Sequence, residues 1–232
     1  DATNVASPAA VYVNGATGSD TTGDGTPVKP YATVQKGIDS ATAPAIVRIA
    51  AGIYVANLEA KDGVALVGDG SATTVLDGNS TGKVIEFADN SRAIVVNLSV
   101  INGLHQGGLD FTDGGSGMYL KGGSSYLCGV VFRDNRATVG KKGTVFLWCS
   151  TVRAEKCEFR NNQDYESIIE VGGSNDFVNC LFANNGTRSM FNIANTFPAI
   201  VLRNCTFANN ADGIQLNPTS YGSISAYNCI FW

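Results

Sequence analysis

Hydrophobic positions along this chain come in short runs of three to five residues. They alternate with polar ones and are broken by Gly and Asn. That pattern predicts many short strands and little helix. One phrase recurs. Asn204-Cys205-Thr206-Phe207-Ala208-Asn209-Asn210 has relatives at Asn179-Cys180-Leu181-Phe182-Ala183-Asn184-Asn185 and Lys156-Cys157-Glu158-Phe159-Arg160-Asn161-Asn162. The chain ends on Asn228-Cys229-Ile230-Phe231, and weaker copies carry Val100 and Phe132 at the Phe position. Successive Phe positions, 100, 132, 159, 182, 207 and 231, are 32, 27, 23, 25 and 24 residues apart. A period in the twenties describes a solenoid with one coil per repeat. Three strand-like runs per repeat, such as Phe191 to Ile193, Ile200 to Leu202 and Cys205 to Phe207, make it all-β: a right-handed parallel β-helix.

Period-two alternation then assigns the faces. Val100, Phe132, Phe159, Phe182, Phe207 and Phe231 form one predicted interior ladder. Leu98, Val130, Cys157, Cys180, Cys205 and Cys229 form a second. The Asn before each Cys is predicted at a bend in left-handed geometry, with its amide in an Asn ladder running from coil to coil. Residues 32–41, with Val34, Ile38 and Ala41 at helical spacing, predict a short helix that caps the open end. The organisation expected is one domain over 1–232: a cap region at 1–45, then coils over 46–232 that lack a native C-terminal cap.

Several stretches resemble a known family. Tyr12-Val13-Asn14-Gly15, Gly23-Asp24-Gly25, Pro30-Tyr31-Ala32-Thr33-Val34-Gln35-Lys36-Gly37-Ile38, Ala51-Gly52-Ile53-Tyr54 and Leu66-Val67-Gly68-Asp69-Gly70 are similar to the opening of secreted right-handed β-helix proteins of the pectate-lyase-like superfamily. The Phe-x-Asn-Asn copies resemble repeats of polymorphic outer-membrane and adhesin-type β-helix proteins. The resemblance implies an extracellular or cell-surface setting, with a signal peptide already removed. It leaves function open, because that superfamily holds lyases, hydrolases, esterases and non-enzymatic surface proteins.

Composition narrows this further. Gly is abundant, 27 of 232 residues, against about 16 at ordinary usage. With only 6 Pro, the excess points to many tight turns in an ordered chain. The net charge of −4 gives no footprint for nucleic acid, and no apolar run is long enough to span a membrane. The ladder cysteines are expected as buried thiols, with disulfides between neighbouring coils the alternative. Cys128 and Cys149 fall off the ladder and are candidates to pair. A zinc site is disfavoured by the presence of a single His.

Candidate chemistry lies on the first strand of each coil. Between the inward pairs Ile85/Phe87, Met118/Leu120, Val145/Leu147, Ile169/Val171, Phe191/Ile193 and Ile214/Leu216 stand Glu86, Tyr119, Phe146, Glu170, Asn192 and Gln215, with Trp148 close by. Rings beside carboxylates and amides suit sugar recognition. Glu86 and Glu170 sit three coils apart, about 14 Å, too far for the roughly 5–9.5 Å of a glycosidase pair. The long segment 103–116 holds His105, Asp110 and Asp113 and is a candidate for a hidden site, but without a nucleophile–base–orienter set it reads as a solvated Gly-rich loop. Between 133 and 160 there are seven bases, Lys141 and Lys142 among them, and three acids, which favours an acidic glycan. Asp20 and Asp24 are candidate Ca²⁺ ligands, with an Asx-bonded turn the alternative. The function expected is a non-catalytic module that binds polysaccharide or a cell-surface glycan, with no cofactor unless calcium. The alternatives are a polysaccharide lyase or glycoside hydrolase acting on an acidic glycan, and a structural or adhesive stalk that makes end-to-end contact through its last coil.

Overall fold

The structure is a computed structural model describing residues 8–106, 114–138, 143–148, 151–163, 167–171, 173–186, 189–193, 199–211 and 222–232. Among these the strands stack in parallel into three long sheets, as a right-handed β-helix requires. A front sheet has six strands: Leu58–Ala60, Ile85–Phe87, Met118–Lys121, Val145–Trp148, Ser167–Val171 and Ser189–Ile193. A nine-stranded back sheet runs from Ala9–Val13 to Ser223–Tyr227, and an eight-stranded side sheet from Gly52–Val55 to Ile230–Phe231. No helix among the described residues is long and apolar enough to cross a membrane.

The predicted Phe ladder is present and register-true. Phe132 pairs with Phe159, Phe159 with Phe182, Phe182 with Phe207 and Phe207 with Phe231. Their rings stack at 5.3, 4.9, 4.6 and 4.9 Å between centroids. The column continues upward through Val100 and Leu76 to Tyr54. Phe177 and Phe191 reach in from the back and front sheets and meet Phe182 edge-on. All three sheets therefore converge on one aromatic spine.

The second ladder is buried too, from Leu98 and Val130 through Cys157, Cys180 and Cys205. The thiols are free. Each of these cysteine Sγ atoms donates to the carbonyl two residues back, and Cys180 and Cys205 reach carbonyls of the preceding coil as well. The hydrogen bond with Cys157 and burial push the Cys180 thiol up to about 12, so it behaves as a small hydrophobe, not a nucleophile. Cys128, a candidate to pair with Cys149, is likewise free, and Cys149 lies outside the described residues. It closes a back-sheet strand beside Val96 and Glu155 in the adjacent coils.

The Asn residues divide their labour differently from expectation. Asn97, Asn179, Asn204 and Asn228 do bend the chain, with φ of 53, 55, 53 and 50°, and Gly129 and Lys156 take the same geometry in their coils. The amide ladder, however, is built by the second Asn after each Phe. Asn135, Asn162 and Asn185 are buried, and Asn210 continues the row. Each Nδ2 of the first three donates to the next Oδ1, at 3.2, 3.2 and 2.9 Å. It also donates back to Val100, Phe132 or Phe159 O. Each Oδ1 in turn accepts the backbone N–H one coil earlier. The first Asn of each pair, such as Asn161 at φ 56°, supplies a second left-handed turn. Turning and zipping thus fall to consecutive residues, and this explains why the repeat needs both.

The cap helix spans Val34–Ser40, slightly inside the expected 32–41, with Thr33 as N-cap accepting from Lys36 N. Val34 and Ile38 face the core. Gly37 allows close contact, since a Cβ there would lie 2.6 Å from Val13. A strand not anticipated, Ala9–Val13, pairs in parallel with Ala45–Ile49 and covers the edge of the back sheet. At the other end Tyr227, Ile230, Phe231 and Trp232 are exposed.

Candidate functional site

The front sheet sets the chemistry of the outer surface. Its register aligns Glu59, Glu86, Tyr119, Phe146, Glu170 and Asn192 on successive rungs. This is the predicted row, extended by Glu59. Gln215, Lys141, Lys142, Asp110 and Asp113 lie outside the described residues. Trp148 ends its strand beside Lys121.

The aromatic part of the row differs from expectation. Tyr119 is 7% exposed and Phe146 0%, so neither offers an open face to a sugar. The rings stack on each other at 5.2 Å with planes 1° apart, and Lys83 Nζ lies over Tyr119 at 4.3 Å from its centroid. The signal was in the sequence. Met118-Tyr119-Leu120 and Val145-Phe146-Leu147-Trp148 are continuous apolar runs, the mark of strands covered on both faces. Leu58-Glu59-Ala60 and Ile85-Glu86-Phe87 alternate, and their central residues are exposed.

The open surface lies at those two rungs. A groove of about 620 Å³ is lined by Asn57, Glu59, Thr81, Lys83, Glu86, His105 and Gln106, among others. Its floor is pinned from below: Gln35 Oε1 accepts from Glu59 N and Gln35 Nε2 donates to Glu59 O. On one side Asn57 Nδ2 donates to Lys83 O at 2.8 Å, and Thr81 Oγ1 donates to Asn57 Oδ1 at 3.0 Å. Lys83 Nζ reaches Glu86 Oε1 at 3.2 Å. The far wall is the short strand Leu104–His105, tied by Leu104 N to Gly82 O and paired with Arg136–Ala137. His105 is thus a buried strand residue, 4% exposed, where a solvated loop was expected. Behind that strand lies a smaller depression of about 360 Å³, between Ser80, Asp134, Arg136, Asn161 and Gln163.

The basic run carries less free charge than its composition implies. Arg133 pairs with Asp134, Arg160 with Glu158, and Arg153 with both Glu155 and Asp176. Arg203 closes on Asp176 from the next coil. These exposed pairs are structural decoration of two sheet faces.

Asp20 and Asp24 each bond donors of their own turn region, the alternative that the sequence offered for them. Asp20 Oδ1 accepts from Ala32 N and Thr33 N, and its Oδ2 from Thr33 Oγ1 at 2.6 Å. Asp24 Oδ1 accepts from Thr26 N and Oγ1 in an Asx turn. Both carboxylates are used by the protein's own donors. Among the described residues no group of three His, Cys, Asp or Glu is placed to hold a metal. Burial pushes Asp20 up, but the Thr33 and Ala32 hydrogen bonds and Lys36 outweigh it and hold the group below the usual carboxylate range. A depressed folded-state pKa stabilises above the unfolded value, near 3.9, and that contribution fades as pH falls through the folded value. Asp20→Ala is expected to cost about 1 kcal/mol at neutral pH, discounted for exposure. Urea titrations should show the gap to wild type closing in acid, and a gap that persists there would refute this account.

Comparison with known proteins agrees with the architecture. The family model described as "Right handed beta helix region" matches residues 62–231. Among solved structures, a pectin methylesterase in complex with a hexasaccharide superposes with a TM-score of 0.51 and 16% identity, over 92% of this chain and 68% of that one. Pectin methylesterase from Aspergillus niger in deglycosylated form gives 0.49 and 15%, over 97% and 86%. PemA from Erwinia chrysanthemi gives 0.48 and 15%, over 94% and 81%. At these identities the likeness is one of fold. No curated protein matches the sequence. With stacked parallel sheets, a three-sided coil and a family model extending over residues 62–231, this chain belongs to the right-handed β-helix family.

Proposed function

We propose that the protein is an extracellular or surface-displayed β-helix module that binds a polysaccharide along the outer face of its front sheet. The observation that carries this reading is the groove over Glu59 and Glu86. It is open, polar and walled by side chains whose hydrogen bonds fix them in place. Amide, hydroxyl, carboxylate and ammonium groups in one trough match the hydroxyl-rich surface of a glycan. A pyranose ring is about as long as one coil step, so successive sugars can meet successive rungs. The related fold has been described holding a hexasaccharide in a pectin methylesterase; for this chain the reading rests on its own groove.

Screening the whole chain on a glycan array should identify ligands. Affinity for the best of them is expected to fall about tenfold or more in the Asn57→Ala/Lys83→Ala double variant, since a neutral hydrogen bond is worth about 0.5–1.5 kcal/mol and a charge-assisted one from Lys83 about 1.5–3 kcal/mol. Undiminished binding in that variant would remove the groove from consideration. A hydrolytic reading has one specific support. Glu59 and Glu86 occupy adjacent rungs, about 4.8 Å apart along the solenoid, near the 5–5.5 Å carboxyl separation of a retaining glycosidase. Release of new reducing ends from a bound glycan, abolished by Glu86→Gln, would establish it over simple binding.

A further inference from the structure

We propose that the groove selects a glycan bearing protonated amino groups, of the glucosamine-polymer kind, and that Glu59 is the residue that sets this preference. The inference rests on the reading of the groove as a glycan site and adds the class of ligand. Two carboxylates stand on neighbouring rungs, and only one is compensated. Glu86 is bonded by Lys83 Nζ at 3.2 Å. Glu59 is exposed, and its carboxylate has no ion-pair or hydrogen-bond partner among the described residues. With Lys83 committed to Glu86, Glu59 is left as the groove's unpaired carboxylate, within an N-terminal half (residues 1–115) that carries twelve acids and six bases.

That field repels uronate polymers and attracts cations. The molecule also displays the recognition chemistry on itself. Lys83 places a primary ammonium against the Glu86 carboxylate and over the Tyr119 ring, 4.3 Å from its centroid. A carboxylate and an aromatic face together form a favourable seat for an ammonium. One rung away, Glu59 offers the same carboxylate without its cation. A sugar amine one ring along a chain laid parallel to the solenoid axis would take that place.

The test is calorimetric titration of the full chain, at low salt and mildly acid pH, with three oligomers of equal length: glucosamine, N-acetylglucosamine and galacturonate. The glucosamine oligomer is expected to bind about tenfold more tightly than its acetylated counterpart, which lacks the charge. The preference should weaken as salt is added. In Glu59→Gln, with melting temperature unchanged, it should shrink to within about twofold, and Glu59→Asp should restore part of it. Tighter binding of galacturonate, equal binding of both glucosamine forms, or a preference that survives in Glu59→Gln would overturn the inference while leaving the groove as a glycan site. Binding of none of the three, with no glycan found on the array, would overturn the glycan reading and this inference together.

Discussion

Replacing Phe182 by alanine is expected to destabilise the protein by about 3–5 kcal/mol, the range for a large aromatic lost from a packed core. Phe182 is fully buried. It stacks on Phe159 at 4.9 Å and Phe207 at 4.6 Å, and meets Phe177 and Phe191 edge-on at 6.0 and 5.3 Å. Residues from all three sheets therefore lose contact at once. Relaxation into the hole is restricted, because ladder hydrogen bonds hold adjacent coils at fixed spacing. Solenoids couple mainly between neighbours, so the loss should also show as reduced cooperativity, with coils after residue 182 melting first. Urea denaturation followed by circular dichroism measures the first effect, and hydrogen exchange along the chain the second. Phe182→Leu keeps most of the volume and should cost about 1–2 kcal/mol. A loss below about 1 kcal/mol for the alanine variant would mean that the spine is not a principal stabiliser.

That spine was legible in the sequence because burial imposes identity on every rung. A residue stacked on its own kind in the next coil leaves a period, and Phe retains it over four steps and Cys over three. The consecutive Asn residues were harder to read. Both recur with the same period, and periodicity alone cannot tell a residue that turns the backbone from one whose amide zips the coils. Only the backbone geometry, left-handed at Asn161 and Asn184, and the burial of Asn162 and Asn185 separate the roles. The cap strand Ala9–Val13 escaped because it has no counterpart elsewhere in the repeat.

The candidate site was less legible, for a related reason. Glu59 and Glu86 belong to the first strands of coils that precede the regular Phe-x-Asn-Asn copies. Leu58-Glu59-Ala60 and Ile85-Glu86-Phe87 share one alternation 27 residues apart, but Ala60 and the flanking Asn57 weaken the strand signal of the first. Without it the only partner for Glu86 was Glu170, three rungs away. The far wall at Leu104–His105 sits in a segment whose length and glycines read as loop. The candidate site is built from irregular segments against a regular scaffold, so repeat analysis finds the scaffold first.

Asn162→Ala is expected to cost about 2–4 kcal/mol, although it deletes only a small polar side chain. Both ends of the Asn162 amide are fully engaged: Nδ2 donates to Phe132 O and Asn185 Oδ1, and Oδ1 accepts from Asn135 N and Asn135 Nδ2. Truncation leaves the buried N–H of Asn135 without that acceptor and opens a void between two coils. A buried orphan costs about 1–3 kcal/mol, and the void adds to it. Asn162→Asp separates these two costs, since it preserves volume. A carboxylate cannot donate to Phe132 O or Asn185 Oδ1, and its charge is buried among acceptors, so burial should raise its folded-state pKa. The folded state then binds more protons than the unfolded chain, and stability must rise as pH falls. The Asp variant should therefore recover in acid, whereas the Ala variant should keep its deficit relative to wild type. The neighbouring Asn161→Gly is the control. It retains the left-handed turn at φ 56° and should change stability by no more than about 0.5 kcal/mol. Similar losses at 161 and 162 in urea titrations would show that position in the coil, not the amide ladder, governs the effect.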